Sequence, residues 1–484
     1  MDQTYHSIII GCGFSGICMA IKLAEAGHRD VLILEKNEDV GGTWRDNHYP
    51  GAECDVPSAL YSYSFERKTD WDYQWSEQPQ ILDYIHHVVD KHRLRERTRF
   101  NAEVKGASYD ENDKLWLVRL AGGETLRAHY LVSAVGQLHK PSIPTIDGQD
   151  SFGGSQFHSA DWDHAVDLSG KRVAVIGNAA SAVQFVPPIA EQVGQLTVYQ
   201  RSANWLAEKL DRPYTEKEKA RLKRYPFIKS LARLKTYLRN ELIVYPAMKG
   251  KRLNSWLLRK FCLNYLHRTV KDDDLRRKLT PNYPIGAKRI LTANGYYEAL
   301  CRDNVDLVTE PIARIDHDGV VCADGSKRPC DVIVYGTGFV TNPFLDGIDI
   351  HGRSGKVLAE HWSQGAHAYL GVATHDFPNL FFLYGPNTNL GHNSILLMSE
   401  AQVKYIIQAM QTAEAQGAAS IEVRQEIETG YNSTIQARLA RMAWSQIPDS
   451  WYMAGGLVTN NWPGSVGEYR RTMASFSPAD YRIN

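Results

Sequence analysis

The chain has no run approaching the roughly 20 apolar residues that a membrane-spanning helix requires. Its first residues, Met1 to His6, carry no basic region followed by a long apolar stretch. A cytosolic, unprocessed protein with no transmembrane segment is therefore expected. An excess of charge is missing too, because 55 Lys and Arg balance 55 Asp and Glu. Nothing global draws such a chain to nucleic acid, and a small-molecule partner fits better. Cysteines are few and scattered: Cys12, Cys18, Cys54, Cys262, Cys301, Cys322 and Cys330. They lack the paired spacings of a zinc site or a disulfide framework, so reduced thiols and no bound metal are expected.

What the chain does have is length and placed glycines. At 484 residues it exceeds what one hydrophobic core usually supports, so two or three domains are the starting expectation. The apolar run Ser7-Ile8-Ile9-Ile10 reads as a buried strand. It passes directly into Gly11-Cys12-Gly13-Phe14-Ser15-Gly16 and then a helical stretch from Ile17 to Ala26. Gly11 and Gly13 permit a tight turn and let backbone approach a pyrophosphate at the helix N-terminus, while Gly16 lets helix and strand pack closely. Nineteen residues after Gly16, the strand Val31-Leu32-Ile33-Leu34 ends on Glu35, an acid placed to accept from a ribose diol. A glycine loop alone is weak evidence. Strand, loop, helix and acid in register make a dinucleotide fold.

The pattern recurs. Arg172-Val173-Ala174-Val175-Ile176 reads as a strand, and Gly177-Asn178-Ala179-Ala180-Ser181-Ala182 takes the loop position before a helix reaching about Val193. The next strand, Leu196 to Gln200, ends at Arg201, which lies 24 residues after Gly177 as Glu35 lies 24 after Gly11. An acid there would repel a ribose 2′-phosphate and Arg would pair with it, so this second site should prefer NADPH. The alternative is a solvated Arg at a strand end. Ala179 and Ala182 stand where the usual fingerprint has glycines. Ala182 is a common replacement, whereas the Ala179 methyl should loosen or displace the nicotinamide cofactor.

Between the two units, Phe152-Gly153-Gly154-Ser155-Gln156-Phe157-His158-Ser159-Ala160-Asp161-Trp162-Asp163 fits the pattern F-x-G-x-x-x-H-x-x-x-W-D. This resembles the fingerprint of the Baeyer–Villiger monooxygenases, class B flavoprotein monooxygenases. Gly41-Gly42-Thr43-Trp44, Tyr49-Pro50-Gly51, Cys54-Asp55, Lys288-Arg289, Tyr296-Tyr297 and Gly336-Thr337-Gly338-Phe339 extend the resemblance in order and spacing over nearly the whole chain. It is most similar to the branch related to 4-hydroxyacetophenone monooxygenase, on Gly41 to Asp55 and Gly385 to Ser394.

The resemblance implies an α/β fold of two Rossmann-like dinucleotide-binding domains. An FAD-binding part over 1–148 would be followed by an NADPH-binding domain over 149–341, and 342–484 would return to the first. Residues of about 208–279 should form a helical subdomain inserted in the second. Its alternation of Lys and Arg with apolar residues also suits a membrane surface, but a solvated face packed over the active site is the reading favoured here. The implied activity is insertion of one oxygen atom of dioxygen beside a ketone carbonyl, giving an ester or lactone by way of a peroxyflavin.

Residue by residue, the resemblance places Thr43, Trp44, Tyr61 and Val104 with Gly11, Gly13, Gly16 and Glu35 around FAD. Gly177, Asn178, Ala179, Ala180, Ser181 and Ala182 would hold the NADPH pyrophosphate, and Arg201, Ser202 and Lys288 the 2′-phosphate. Arg289 matches the family's active-site arginine, and a guanidinium stays charged while presenting several donors to an oxyanion. Asp55 matches the acid that holds it, on a loop reaching both cofactors. The alternatives are a surface Lys288-Arg289 pair and a turn-capping Asp55 before Val56-Pro57. His158 reads as a hinge or packing residue. Asn389, His392 and Asn393 sit in a loop expected near the flavin.

Rival readings share part of this machinery. A sulfide- or amine-oxygenating flavin enzyme would use the same cofactors, and so would an NADPH oxidase. A flavin disulfide reductase needs a redox-active cysteine pair, yet Cys54 stands alone. A non-enzymatic flavin-binding protein would have no use for Arg201, Lys288 and Arg289.

Overall fold

The computed structural model describes residues 3–446 and 453–484. Two sheets dominate. Ile8, Ile9 and Ile10 are buried in the central strand Thr4–Ile10, with Ile8 opposite Leu32 on one side and Leu131 on the other. A strand flanked by parallel partners and covered on both faces has to be apolar throughout, which is why this run does not alternate. The sheet has eight strands, in the order Asp349–His351, Val104–Asp110, Leu115–Leu120, Thr125–Ser133, Thr4–Ile10, Val31–Leu34 and Thr98–Arg99, and Leu380–Phe382 also pairs with Thr125–Ser133.

The second sheet is wholly parallel, in the order Val305–Val308, Gln195–Tyr199, Arg172–Ile176, Val332–Tyr335 and Ser155–His158. This is the expected α/β architecture of two Rossmann-like units. Segments that follow the second sheet in the chain rejoin the first, since Asp349–His351 pairs with Val104–Asp110 and Leu380–Phe382 with Thr125–Ser133. The long helix Leu396–Ala415 then packs on the helix Phe14–Glu25, where Ser15 and Ser399 share a hydrogen bond of 2.9 Å between their hydroxyls.

Helices fill the stretch expected to be helical: Glu216–Arg224, Pro226–Arg239, Tyr245–Met248, Arg252–Thr269 and Asp273–Lys278. Local chemistry sets their starts. Thr215 and Glu218 form a reciprocal capping box, and the Asp272 carboxylate accepts from the Leu275 N–H. A π-helical turn, Asn240–Val244, joins the second helix to the third. On the outer face, Leu, Phe and Trp side chains lie exposed among the basic ones.

The two glycine turns solve the same packing problem with different residues. At Gly16 an added Cβ would lie 2.0 Å from the Gly11 carbonyl oxygen and 3.4 Å from the Ala134 Cβ. Across from Ala182 stands Gly336, and a Cβ added there would lie 3.1 Å from the Ala182 Cβ. At Gly16 it is the Gly11 carbonyl that leaves no room for a side chain, whereas the Ala182 methyl is accommodated against the bare Gly336. Gly336→Ala should therefore lower unfolding stability by about 1–3 kcal/mol through overpacking. Adding Ala182→Gly should recover part of that loss, and additive losses in denaturant titrations of the two single variants and the double variant would refute the compensation.

Candidate active site

The first turn is braced from within. Gly11 adopts φ +103°, and a Cβ there would lie 2.8 Å from the Ala134 carbonyl oxygen, so only glycine fits. Gly13 faces Gly42, whose added Cβ would lie 3.2 Å from the Gly13 Cα. The Glu35 carboxylate is buried and accepts from the Cys12 N–H at 2.9 Å and the Asn37 N–H at 3.1 Å. Its own carbonyl accepts from the Ala102 N–H, two residues before Val104, which is buried at the start of the strand Val104–Asp110. Thr43 opens the short helix Thr43–Asp46. The Trp44 indole donates to the Tyr61 hydroxyl at 3.0 Å with the rings edge to face, and both pack against the core of the first unit.

At the second turn, Gly177 has φ +106°, and a Cβ there would lie 2.4 Å from the Gly336 carbonyl oxygen. Ala179 has φ −78° and ψ −167°, close to the −89° and −171° of Gly13, so the alanine changes no backbone and adds only its methyl. Ala180 starts the helix Ala180–Ala190, which carries Ser181 and Ala182 in its first turn. The Asn178 amide donates to Gln200 Oε1 and to the Ser202 carbonyl, both at 2.9 Å, tying the loop to the end of the next strand. Lys288 reaches Ser202 Oγ at 3.3 Å, and its ammonium lies over the Tyr283 ring. Burial and the nearby Arg201 guanidinium both push the Lys288 pKa down. Two cations held against their mutual repulsion make a place where an anion is stabilised.

The loop Glu53-Cys54-Asp55, in the first unit, is held from the second. Arg289 Nη2 donates to Asp55 Oδ2 in an ion pair whose arginine remains partly open to solvent. Asp55 Oδ1 also accepts from Gln184 Nε2 at 3.3 Å and Thr292 Oγ1 at 3.5 Å. Gln184, buried on the helix of the second unit, donates to the Glu53 carbonyl at 3.0 Å and accepts from the Tyr49 hydroxyl at 2.8 Å. Gly51 approaches this helix so closely that an added Cβ would lie 2.6 Å from the Gln184 carbonyl oxygen. Lys209, its side chain fully buried, pairs with Glu53 at 2.6 Å. Burial raises the Glu53 pKa against the pull of Lys209.

The structure thus brings Asp55 and Arg289 together and gathers Asn178, Ser202 and Lys288 beside Arg201. It also adds residues the sequence reading missed, namely Gln184, Lys209 and Glu241. Glu241, in the π-helical turn, accepts from Asn393 Nδ2 at 3.0 Å and the Val466 N–H at 3.2 Å and contacts His392 Nε2 at 3.2 Å. His392 and Asn393 therefore anchor the helical insertion, while Asn389 bonds Asn461 and Tyr384. A lone acid in a basic helix was the available signal for Glu241, whereas Gln184 and Lys209 had none. His158 is buried, caps its own turn through Nδ1 and meets the Phe339 ring, a packing role. Cys54 is a free buried thiol, pushed up to about 12 by burial. Gln184→Leu should lower stability by about 1–3 kcal/mol by leaving the Tyr49 hydroxyl and Glu53 carbonyl unpaired. An unchanged denaturant midpoint would show that the loop does not depend on this tether.

Comparison with known proteins agrees with this fold. A family model described as "Pyridine nucleotide-disulphide oxidoreductase" matches residues 8–231. A "Baeyer-Villiger monooxygenase" of Pseudomonas aeruginosa is 41% identical over 479 residues, covering 98% of this chain and 90% of that protein. Among solved structures, cyclohexanone monooxygenase from Rhodococcus sp. Phi1 bound to NADP+ superposes with a TM-score of 0.91 at 29% identity, covering all of both chains. The OTEMO complex with FAD and NADP superposes with a TM-score of 0.90 at 30% identity, also over both whole chains. With two Rossmann-like units and this identity over nearly its full length, the chain belongs to the Baeyer–Villiger monooxygenase family.

Proposed function

We propose that the protein uses FAD, NADPH and dioxygen to insert one oxygen atom beside the carbonyl of a ketone, giving an ester or lactone. The observation that carries this reading is the Asp55–Arg289 ion pair, held on a loop of the first unit that Gln184 tethers from the helix of the second. Bound FAD and NADPH would supply hydride transfer and oxygen activation, chemistry that protein side chains cannot perform alone. The residues fit both groups. Room left by Gly13 and Gly42, which face each other beside the buried Glu35, suits FAD. Arg201, Ser202 and Lys288 suit a ribose 2′-phosphate.

Within this reading each residue has one task. Gly11, Gly13 and Gly16 would let backbone lie against the FAD pyrophosphate, with Thr43, Trp44, Tyr61 and Val104 lining that cofactor. Gly177 and the helix start from Ala180 to Ala182 would do the same for NADPH, and Asn178 fixes the loop from behind. Arg289 would hold a positive charge where negative charge develops on oxygen, and Asp55 would fix the direction of that guanidinium. Gln184 sets the position of Asp55. The proposal includes a division of the chain near Gly148 and Asn342 and a place in the branch related to 4-hydroxyacetophenone monooxygenase, the latter supported by Gly41 to Asp55 and Gly385 to Ser394. It also includes a cytosolic location, supported by seven free thiols. No helix among the described residues is long and apolar enough to cross a membrane.

Arg289→Ala should leave reduction of bound flavin by NADPH intact while cutting ester formation on the order of a hundredfold or more. Anaerobic reduction followed by absorbance, with product analysis in air, separates the two steps, and equal ester yields would remove Arg289 from the chemistry. Arg201→Ala should raise the KM for NADPH far more than that for NADH. If both rose alike, the 2′-phosphate assignment would fail.

A further inference from the structure

The helical insertion turns an unusual face outward. Along its continuous run from residue 226 to 248, Arg233 donates to the Ser62 carbonyl at 2.9 Å, Tyr237 and Val244 pack on the core, and Glu241 holds Asn393. The opposite positions, Phe227, Leu231, Leu234, Leu238 and Leu242, recur at helical spacing and are all exposed, Phe227 and Leu242 at 66% each. The next helix, Arg252–Thr269, adds exposed Leu253, Trp256, Leu257 and Phe261. Asn254 Nδ2 donates to the Leu242 and Ile243 carbonyls, so the two apolar stripes meet at the hairpin tip. Of the fifteen large hydrophobic side chains exposed among the described residues, eleven lie between Tyr225 and Phe261. Scattered surface leucines are ordinary, but a concentration of this kind marks a docking surface.

Charge identifies what docks. Residues 221–261 hold twelve Lys and Arg against one acid, Glu241, within a chain whose totals balance at 55 each. That acid is engaged inward, while Lys223, Lys235, Arg239, Lys249, Lys251 and Arg252 are exposed around the apolar stripes. A second copy of the chain would bring the same excess of positive charge to the contact and be repelled. Nucleic acid would answer the charge and leave the leucines in water. An anionic phospholipid surface answers both, since the apolar side chains enter the acyl boundary while Lys and Arg meet the headgroups. We propose that this face of the helical insertion docks on an anionic phospholipid bilayer, lying in its interface without crossing it.

Co-sedimentation of the purified full-length protein with phosphatidylcholine vesicles, with and without phosphatidylglycerol, tests the proposal. Binding should need the anionic lipid and weaken as salt rises. The triple variant Lys249→Glu, Lys251→Glu, Arg252→Glu should bind at least on the order of a hundredfold more weakly, about fivefold for each basic residue lost. Leu231→Glu with Leu242→Glu should also abolish binding. Because every substituted side chain is exposed, both variants should keep the wild-type unfolding midpoint. Absence of wild-type binding at either composition would overturn the proposal, as would binding retained by both variants. A dimer that forms in solution without vesicle binding and is lost in Leu231→Glu would also overturn it, assigning the face to self-association.

Discussion

Everything at the centre of this molecule depends on one loop being held from both sides. Glu53-Cys54-Asp55 belongs in sequence to the first Rossmann-like unit, yet its carbonyl and its carboxylate are bonded by Gln184 from the helix that opens the second. Lys209 pairs with Glu53 from a third direction, and Arg289 with Asp55 from a fourth. A charge pair left partly open to water contributes little by itself. Surrounded by buried, hydrogen-bonded neighbours, the same pair acquires a fixed direction, and that direction is what a reaction developing negative charge at one point requires.

The two glycine turns show how a repeated unit diverges without losing its shape. Gly13 and Ala179 share nearly the same backbone angles, so glycine at that position serves the approach of a ligand and not the turn itself. Gly16 has no room for a side chain because the Gly11 carbonyl lies against it, whereas Ala182 packs its methyl against Gly336. Arg201 takes the place of Glu35 at equal spacing, a change of charge at the strand end that leaves the strand-turn-helix pattern untouched.

Much of the architecture was legible because it rests on local rules. Both strand-turn-helix units, the acid and base that end their second strands, and the helical insertion follow from apolar runs, placed glycines and basic residues alternating with apolar ones. The tether was not legible. Gln184 lies 129 residues from Asp55 and nothing marks it in a sequence, since a buried glutamine looks like any helical glutamine until its partners are placed. Lys209 is hidden for the same reason, because a fully buried lysine and a surface lysine are written alike. The outward face of the insertion was read as solvated because alternating basic and apolar residues fit either side of a helix. Only the placement of Arg233, Tyr237 and Val244 inward shows that the leucines face out.

The most direct test follows the oxygen atom. Purified protein supplied with NADPH, isotopically labelled dioxygen and an aryl methyl ketone should form an ester carrying one labelled oxygen at the inserted position, with one NADPH consumed for each ester. Unlabelled ester, or NADPH consumption that yields only hydrogen peroxide with ketones while a sulfide becomes the labelled product, would contradict the account.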